Sequence, residues 1–221
     1  MKLLAIDTAT EACSAALYID GNISDRYKIA SRKHAELILT MVDQLLAKAE
    51  IKLQVLDALV FGCGPGAFTG VRIATGVIQG LAFASDLPVI PVSTLATLAQ
   101  GAVAESDFII SAIDARMSEI YWGLFEVNEN KLVQHINKES VSKPDQISVP
   151  VSTSWYGVGS GWTTYQEILC RKISHNLEGF CDDRYPHAKD MIPLAIREFE
   201  LNRTVSAENA LPVYLRNNVT Q

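Results

Sequence analysis

Short apolar and alternating segments open the chain and predict a three-stranded antiparallel meander. An apolar run at 2–6 ends at Asp7, and a second run covers 13–19. The pair Asp20-Gly21 is typical of a type I′ hairpin turn, after which the segment 22–30 returns. Asp7 is therefore expected at the carboxyl end of the first strand.

The next segment, about 32–49, has the periodicity of a helix with one apolar face. Its predicted core stripe recurs at the spacing of a helical turn and consists of Ala35, Ile38, Leu39, Val42, Leu45, Leu46 and Ala49. Leu37 and Met41 fall outside this stripe, on the side that carries Gln44 and Lys48. We therefore expect this helix to keep some apolar side chains away from its own core.

A glycine-rich turn at 62–70 follows a predicted strand at 58–62 and opens a second helix, about 69–85. This helix is apolar around most of its circumference. Gly76 and Gly80 are four residues apart, so they leave a smooth strip that another helix could approach closely. Two interpretations stay open, because such a helix is either central within its own fold or exposes one side to a partner.

After a strand at 87–92 and a third helix to about 104, the pattern begins again. A strand at 108–113 ends at Asp114 as the first strand ends at Asp7, and a hairpin with strands at 120–127 and 132–141 follows. A strand then runs into glycines at 155–161, before helices at about 162–173 and 188–200. The repetition predicts an internal duplication, with chance similarity of two hairpins as the alternative.

The predicted fold class is therefore an α/β fold of the duplicated actin-like ATPase (ribonuclease H-like) type. Actin-like proteins consist of two such strand-meander-helix units, and this likeness concerns the fold alone. The predicted domains are an N-terminal lobe, 1–105, and a reduced C-terminal lobe, 106–221.

Composition narrows the class of protein. A formal net charge of −6 disfavours a large basic footprint for nucleic acid. The four cysteines are scattered without a Cys-x-x-Cys pair, which favours free thiols over disulfides or a zinc site. Polar residues interrupt the most apolar stretch, 71–84, and Asp7 interrupts the apolar start of the chain. Neither a membrane span nor a signal peptide is predicted, and we expect a cytoplasmic protein without a membrane partner.

Two strand ends and the glycine turn are candidates for a vestigial phosphate-binding site. Asp7 could orient the water ligands of Mg²⁺, and the hydroxyl of Thr8 could reach a phosphoryl oxygen. Gly64 and Gly66 could turn backbone N–H groups toward an anion, and Asp114 is the counterpart of Asp7 in the second half. The competing interpretation is a set of tight turns in which these side chains accept backbone hydrogen bonds.

No catalytic or metal-binding residue is predicted. Ile38 lies one helical turn after His34, so the chain lacks the second histidine of a His-x-x-x-His metal pair. Ser160 is displaced by one position from the Gly-x-Ser-x-Gly nucleophile motif, and no Gly-Lys-Ser/Thr string of a P-loop occurs. If the first two helices expose their surplus apolar surface instead of burying it within the fold, the partner-binding face consists of Leu37, Met41, Gln44, Lys48, Arg72, Ile73, Gly76, Gly80 and Phe83.

Several strings resemble the TsaB (YeaZ) family of the bacterial tRNA threonylcarbamoyladenosine machinery. They are spread over the whole chain and comprise Ile6-Asp7-Thr8, His34 to Leu37, Gly64 to Ile73, Val92 to Leu95, Asp114 to Arg116 with Glu119 and Tyr121, and Pro212 to Arg216. The string from Gly64 to Ile73 is the most specific, although Ala67 stands where the family more often has serine.

The resemblance implies an accessory, non-catalytic subunit with an actin-like fold. In that family, the paralogue TsaD transfers threonylcarbamoyl from threonylcarbamoyl-AMP to N6 of adenosine 37 in tRNAs that read codons beginning with A. The implied partners are a TsaD-like paralogue, a TsaE-like ATPase and a second copy of the chain, in heterodimers or homodimers, with tRNA contacted only indirectly. The chain alone is expected to bind no cofactor, although ATP or ADP could bind at an interface of the complex.

The alternative is a catalytic ATPase or kinase of the same fold, which would use Asp7, Asp114 and the glycine turns. Binding and turnover of Mg-ATP by the isolated chain would distinguish this enzyme from an accessory subunit. A hydrolase is a third class, but neither a metal pair nor a nucleophile-base pair supports it.

Overall fold

The computed structural model describes residues 1–30 and 32–216. The strands are β1 (Lys2–Asp7), β2 (Ala12–Ile19), β3 (Asn22–Ile29), β4 (Ala58–Gly62), β5 (Val89–Val92), β6 (Phe108–Arg116), β7 (Glu119–Val127), β8 (Val133–His135), β9 (Ser140–Ser142), β10 (Trp155–Val158) and β11 (Leu177–Cys181). The helices are α1 (His34–Lys48), α2 (Phe68–Ser85), α3 (Thr94–Gln100), α4 (Ser160–Ile173) and α5 (Ala188–Glu200), and short 3-10 helices cover Leu53–Val55, Pro144–Gln146, Ser174–Asn176 and Ala207–Asn209.

The two sheets share one strand order and one set of strand directions. The first sheet runs β3-β2-β1-β4-β5, in which β2 is antiparallel to both neighbours while β1, β4 and β5 are parallel. The second sheet runs β8-β7-β6-β10-β11 and repeats these directions. This repetition confirms the predicted internal duplication and the predicted actin-like, ribonuclease H-like α/β fold.

The second repeat is smaller than the first. Between β3 and β4 the chain forms α1, whereas between β8 and β10 it forms only β9 and the 3-10 helix at Pro144–Gln146. The predicted single strand at 132–141 is wrong, because β8 and β9 pair separately with β7. Between them, the backbone N–H of Leu124 donates to the side-chain oxygen of Asn137 at 2.7 Å, which interrupts the ladder. Strand β11 was not predicted.

Contacts within the described chain group it into two compact units. The first unit comprises 1–97 and 186–213, and the second comprises 98–185 with the described residues from 214 onward. The predicted division into 1–105 and 106–221 differs from this grouping chiefly at α5. This helix packs on the strands of the first sheet and buries Met191 and Ile192 there, although it follows the second sheet in sequence.

The first sheet is covered on both faces. On β2, the Sγ of Cys13 lies 3.9 Å from the Sδ of Met41 in α1, whereas Ser14 Oγ accepts a hydrogen bond from the Ala188 N–H of α5 at 2.9 Å. Because successive residues of a strand point to opposite faces, α1 and its neighbour α2 cover one face and α5 covers the other. Burial on both faces explains why β1 is apolar along most of its length.

The core stripe of α1 is rotated from the predicted one. The buried residues are His34, Ile38, Met41, Val42 and Leu45. Ala35 and Leu39, which were predicted to be in the core, are exposed, and the prediction that Met41 lies outside the core is wrong. Met41 is buried because it packs above Cys13.

The core of the second unit forms around two tryptophans. Trp155 and Trp162 are fully buried, and the indole N–H of Trp162 donates to the carbonyl of Ile110 at 3.3 Å. A Cβ atom at Gly157 would lie 2.3 Å from the Trp162 ring, so glycine is required there. Within the described ranges, no helix combines the length and apolar content needed to cross a lipid bilayer.

Candidate functional site

One side of α2 carries an exposed stripe, which we call the α2 stripe. It consists of Phe68, Arg72, Gly76, Gly80 and Phe83, spaced by three or four residues along the helix. Phe83 is 86% exposed, which is unusual for a large aromatic side chain. The opposite side of α2 is buried and consists of Gly70, Val71, Ala74, Thr75, Ile78 and Ala82. Of the two open interpretations of this helix, exposure of one side is therefore confirmed.

The two glycines of the α2 stripe are not required by packing within the chain. A Cβ atom at Gly76 or Gly80 would have no neighbour within 4 Å outside the helix itself. A glycine inside a helix costs about 1 kcal/mol relative to alanine. The stripe therefore keeps two unfavourable residues where no part of the chain that the structure describes needs them, and the result is a flat strip of exposed backbone.

Aromatic and cationic groups flank this flat strip. The guanidinium of Arg72 lies 3.6 Å from the centroid of the Phe68 ring, a cation-π contact that fixes both side chains near the start of α2. Phe83 lies at the other end of the stripe. Sequence reasoning missed Phe68 as a surface residue because it belongs to the glycine turn motif, although its spacing of four residues from Arg72 was a usable signal.

The predicted partner-binding residues of α1 do not join the α2 stripe. Gln44 accepts a hydrogen bond from Arg26 Nε of β3 at 3.2 Å, so the Gln44 side of α1 faces the β3 edge of the sheet. Helical spacing places Leu37 and Lys48 on this same side. Because α2 packs over β1 and β4, it lies on the other side of α1.

The nine predicted partner-binding residues are thus distributed over three environments. Arg72, Gly76, Gly80 and Phe83 form the α2 stripe, with half-buried Ile73 beside it. Leu37, Gln44 and Lys48 lie on the β3 side of α1, and Met41 is in the core. Leu39, which is 47% exposed on the side of α1 opposite Gln44, was missed because the predicted core stripe included it.

Four of the predicted phosphate-binding residues lie together at the carboxyl ends of β1 and β4, where the chain itself fills the turn. The hydroxyl of Thr8 donates to the carbonyl of Gly70 at 2.7 Å. Cβ atoms at Gly66 and Gly70 would lie 2.3 Å from the Ala9 carbonyl and 2.1 Å from the Thr8 carbonyl. These glycines are therefore needed for close approach of the protein's own backbone.

Gly64 has a left-handed φ of 105°, and a Cβ atom there would lie 2.8 Å from the Val213 carbonyl. Its own carbonyl accepts a hydrogen bond from the Thr94 N–H at 2.9 Å. Among the described residues, no group of three or more His, Cys, Asp or Glu side chains could hold a metal ion. The arrangement fits the interpretation of tight, self-satisfied turns.

Asp7 is an unusual carboxyl group. It is fully buried, its Oδ1 accepts a hydrogen bond from the Ala9 N–H at 2.9 Å, and its Oδ2 has no hydrogen-bond partner in the described chain. Burial raises the pKa of Asp7 to about 7, although the Ala9 hydrogen bond lowers it. Burial, and then the charge of Asp7, raise the pKa of the Cys13 thiol to about 11. A fully buried carboxyl group of this kind is poorly suited to orient hydrated Mg²⁺.

Asp114 belongs to the second unit and has a different environment from Asp7. Its Oδ1 accepts hydrogen bonds from the Arg116 N–H at 2.9 Å and the Tyr165 hydroxyl at 3.3 Å, and its Oδ2 forms an ion pair with Arg116. Close by in sequence, Glu119 forms an ion pair with Arg216. Two of the strings that carry the family resemblance therefore meet in the second unit.

The chain is similar to several known proteins over most or all of its length. The family model "TsaD: tRNA N6-adenosine threonylcarbamoyltransferase" matches residues 25–221. The chain is 42% identical to "tRNA threonylcarbamoyladenosine biosynthesis protein TsaB" of Escherichia coli (strain K12), over 99% of this chain and 96% of that protein. It is 40% identical to the protein of the same name from Haemophilus influenzae, over 100% and 95% of the two chains. The structure of YeaZ from Pseudomonas aeruginosa is similar with a TM-score of 0.90 and 44% identity, over 97% of this chain and 99% of that one.

Proposed function

Since this chain belongs to the TsaB family of tRNA threonylcarbamoyladenosine biosynthesis proteins, we propose that it acts in that biosynthesis as a non-catalytic partner subunit. In this proposal it binds a TsaD-like paralogue, which transfers threonylcarbamoyl from threonylcarbamoyl-AMP to N6 of adenosine 37 in tRNAs that read A-starting codons. A TsaE-like ATPase completes the assembly, and a second copy of the chain competes for the same face in a homodimer.

The α2 stripe is the observation that carries this proposal. Aromatic and arginine side chains dominate the energetics of protein interfaces, and here Phe68, Arg72 and Phe83 surround a strip of two glycines. Burying the Phe83 side chain on a partner would contribute about 1.5–3 kcal/mol. The absence of side chains at Gly76 and Gly80 lets a partner helix approach the α2 backbone, which explains their presence in an exposed helix.

The closed turn around Asp7 supports a non-catalytic role. A catalytic actin-like ATPase would need an ionised, solvated carboxylate at this strand end to orient Mg²⁺. Here the carboxyl group is buried, and a Cβ atom at Gly62 would lie only 1.9 Å from its Oδ2. In this proposal the partner carries out the chemistry.

Replacing a glycine of the α2 stripe by a large residue, which we call a wedge variant, tests the proposal. We expect Gly76→Trp or Gly80→Arg to abolish co-elution with the TsaD-like paralogue in size-exclusion chromatography, because a large side chain would hold the two helices apart. The matched control is Gln166→Trp, at an exposed position of α4 in the second unit, which should co-elute normally. Circular dichroism should show an unchanged fold for all three variants. Normal co-elution of both wedge variants would refute the assignment of this face.

Nucleotide binding separates the two function classes. We expect ATP or ADP to bind only at an interface of the complex, so titration calorimetry of the isolated chain with Mg-ATP should show no binding. Micromolar binding with turnover by the isolated chain would contradict the accessory role and support a catalytic ATPase or kinase.

A further inference from the structure

Five basic side chains border the first unit along β3 and α1, away from the α2 stripe. Arg26 and Lys28 lie on β3, Arg32 and Lys33 lie between β3 and α1, and Lys48 lies in the last turn of α1. We call this set the β3–α1 edge. β3 is the outermost strand of the first sheet, so no further strand of that sheet pairs with its outer edge.

Strand register and helical spacing place these groups on one side. Lys28 pairs with Cys13, and Cys13 faces α1, so Lys28 faces α1 as well. Arg26 is two residues away on the same strand and donates to Gln44 of α1 at 3.2 Å. Lys33 and Lys48 are 11 and four residues from Gln44, positions that share its side of the helix.

The opposite face of β3 has a different character. Ile23, Tyr27 and Ile29 alternate with the basic residues and are the exposed apolar side chains of this strand. Asp25 also points that way, because its Oδ2 lies 3.2 Å from His187 Nε2 beside α5. The α1 side of β3 therefore carries the polar and basic residues and none of these apolar groups.

The β3–α1 edge is a local excess of positive charge in an acidic chain. Lys28, Arg32 and Lys33 are exposed, and none of the three forms an ion pair within the part of the chain that is described. The carboxylates near these groups are Glu11, whose backbone carbonyl accepts a hydrogen bond from the Ala30 N–H at 3.0 Å, Glu36 and Asp43 of α1, and Glu50 just after α1. Asp43 and Glu50 lie toward the Lys48 end, so the excess of positive charge is concentrated at Lys28, Arg32 and Lys33, although the formal net charge of the whole chain is −6.

We propose that the β3–α1 edge binds the phosphate backbone of tRNA in the assembled complex. This inference rests on the proposed function, and it departs from the expectation that tRNA is contacted only indirectly. Lys33 and Lys48 are separated by about 22 Å along α1, at about 1.5 Å per residue, which is long enough to follow several consecutive phosphates. Lys28, Arg32 and Lys33 are exposed and form no ion pair among the described residues, which suits a polyanion better than a protein partner's apolar surface.

Charge reversal tests the inference in the complex with the TsaD-like and TsaE-like partners. The variant Lys28→Glu, Arg32→Glu, Lys33→Glu should bind tRNA at least tenfold more weakly near physiological salt. The slope of log affinity against log salt concentration should fall by about two to three, since each lost phosphate contact removes a little under one. The milder variant Lys28→Gln, Arg32→Gln, Lys33→Gln should change both quantities in the same direction and guards against misfolding.

A matched control separates local from overall charge. Lys138→Glu, Arg171→Glu, Lys172→Glu makes the same charge change at exposed positions of the second unit and should leave tRNA binding within about twofold. Equal losses in both triple variants would overturn the inference, as would loss of complex formation, which would identify a protein contact. If the wild-type complex binds tRNA and the β3–α1 variant binds equally well, this inference alone fails. If the wild-type complex binds no tRNA, the proposed function fails with it.

Discussion

Replacing Asp7 by asparagine should remove a pH dependence from the stability of the fold. In the folded protein, burial raises the pKa of Asp7 from the usual 3.8 to about 7. The folded state therefore binds more protons than the unfolded chain between these two values. The stability contributed by the protonated Asp7 is complete below about pH 3.8 and is lost as the pH rises through 7.

The magnitude follows from the difference between the two pKa values. At about 1.4 kcal/mol per pH unit, a rise from 3.8 to about 7 corresponds to at most about 4 kcal/mol of stability lost between pH 4 and pH 7. Asparagine has nearly the same shape and no charge, so it keeps the buried position without this titration. Because the Ala9 N–H can still donate to the asparagine side-chain oxygen, the local turn should persist.

The assay is urea unfolding of both proteins at intervals of half a pH unit from 4 to 8. The quantity to compare is the wild-type free energy of unfolding minus that of Asp7→Asn, because all other titrating groups cancel in this difference. His187 is one such group, since burial lowers its pKa to about 4 and gives it the opposite pH dependence. Asp43→Asn at an exposed position of α1 is the matched substitution outside the core.

If the difference between wild type and Asp7→Asn varies by less than about 0.5 kcal/mol over the whole range, Asp7 is ionised in the folded protein at neutral pH. The strand end would then be open to water or cations. The closed-turn interpretation, and its use in support of a non-catalytic role, would have to be withdrawn.

Three further substitutions test other parts of the account. Gly76→Ala should stabilise the isolated chain by about 0.5–1 kcal/mol in urea unfolding, because the site is open and glycine is a poor helix former; destabilisation would show that the site is packed. Gly70→Ala should destabilise it by about 2–3 kcal/mol, since its Cβ would lie 2.1 Å from the Thr8 carbonyl, and an unchanged midpoint would contradict the described turn. His187→Ala should lose the parallel stack on Tyr27 and the hydrogen bond that the His187 ring accepts from the Lys189 N–H. Because burial lowers the pKa of His187 from 6.5 to about 4, its destabilisation in urea unfolding should be larger at pH 7 than at pH 4.5. An equal effect at both pH values would count against a neutral His187.

The fold was predictable because its main signals are local and repeated. The Ile-Asp strand ends at 6–7 and 113–114, the hairpins that follow them and the glycine turns are together sufficient to indicate the duplication. By contrast, β11 was missed because Leu177–Cys181 has a glycine and an acid within five residues, and its pairing with β10 supplies the strand. Similarly, nothing near α5 in sequence indicates the sheet on which it packs.

The candidate site was predictable on α2 and less so on α1. On α2, a helix with apolar residues nearly all round and two glycines four apart indicated a second exposed side. On α1, Leu39 and Met41 are two apolar residues separated by little more than half a turn, and periodicity could not decide which of them faces the sheet. The choice depends on the space above Cys13, which is a property of the packed structure.

The position of α5 affects how the protein is made. One face of the first sheet stays uncovered until residues 188–200 have been synthesised, which is after all strands of the second sheet have been synthesised. A nascent or truncated chain that ends near residue 185 would leave the α5-facing side of β1, β2 and β4 in contact with water. Stable fragments of the first unit should therefore be sought by joining α5 to the N-terminal segment, as in a circular permutant, and not by cutting the chain between the two repeats.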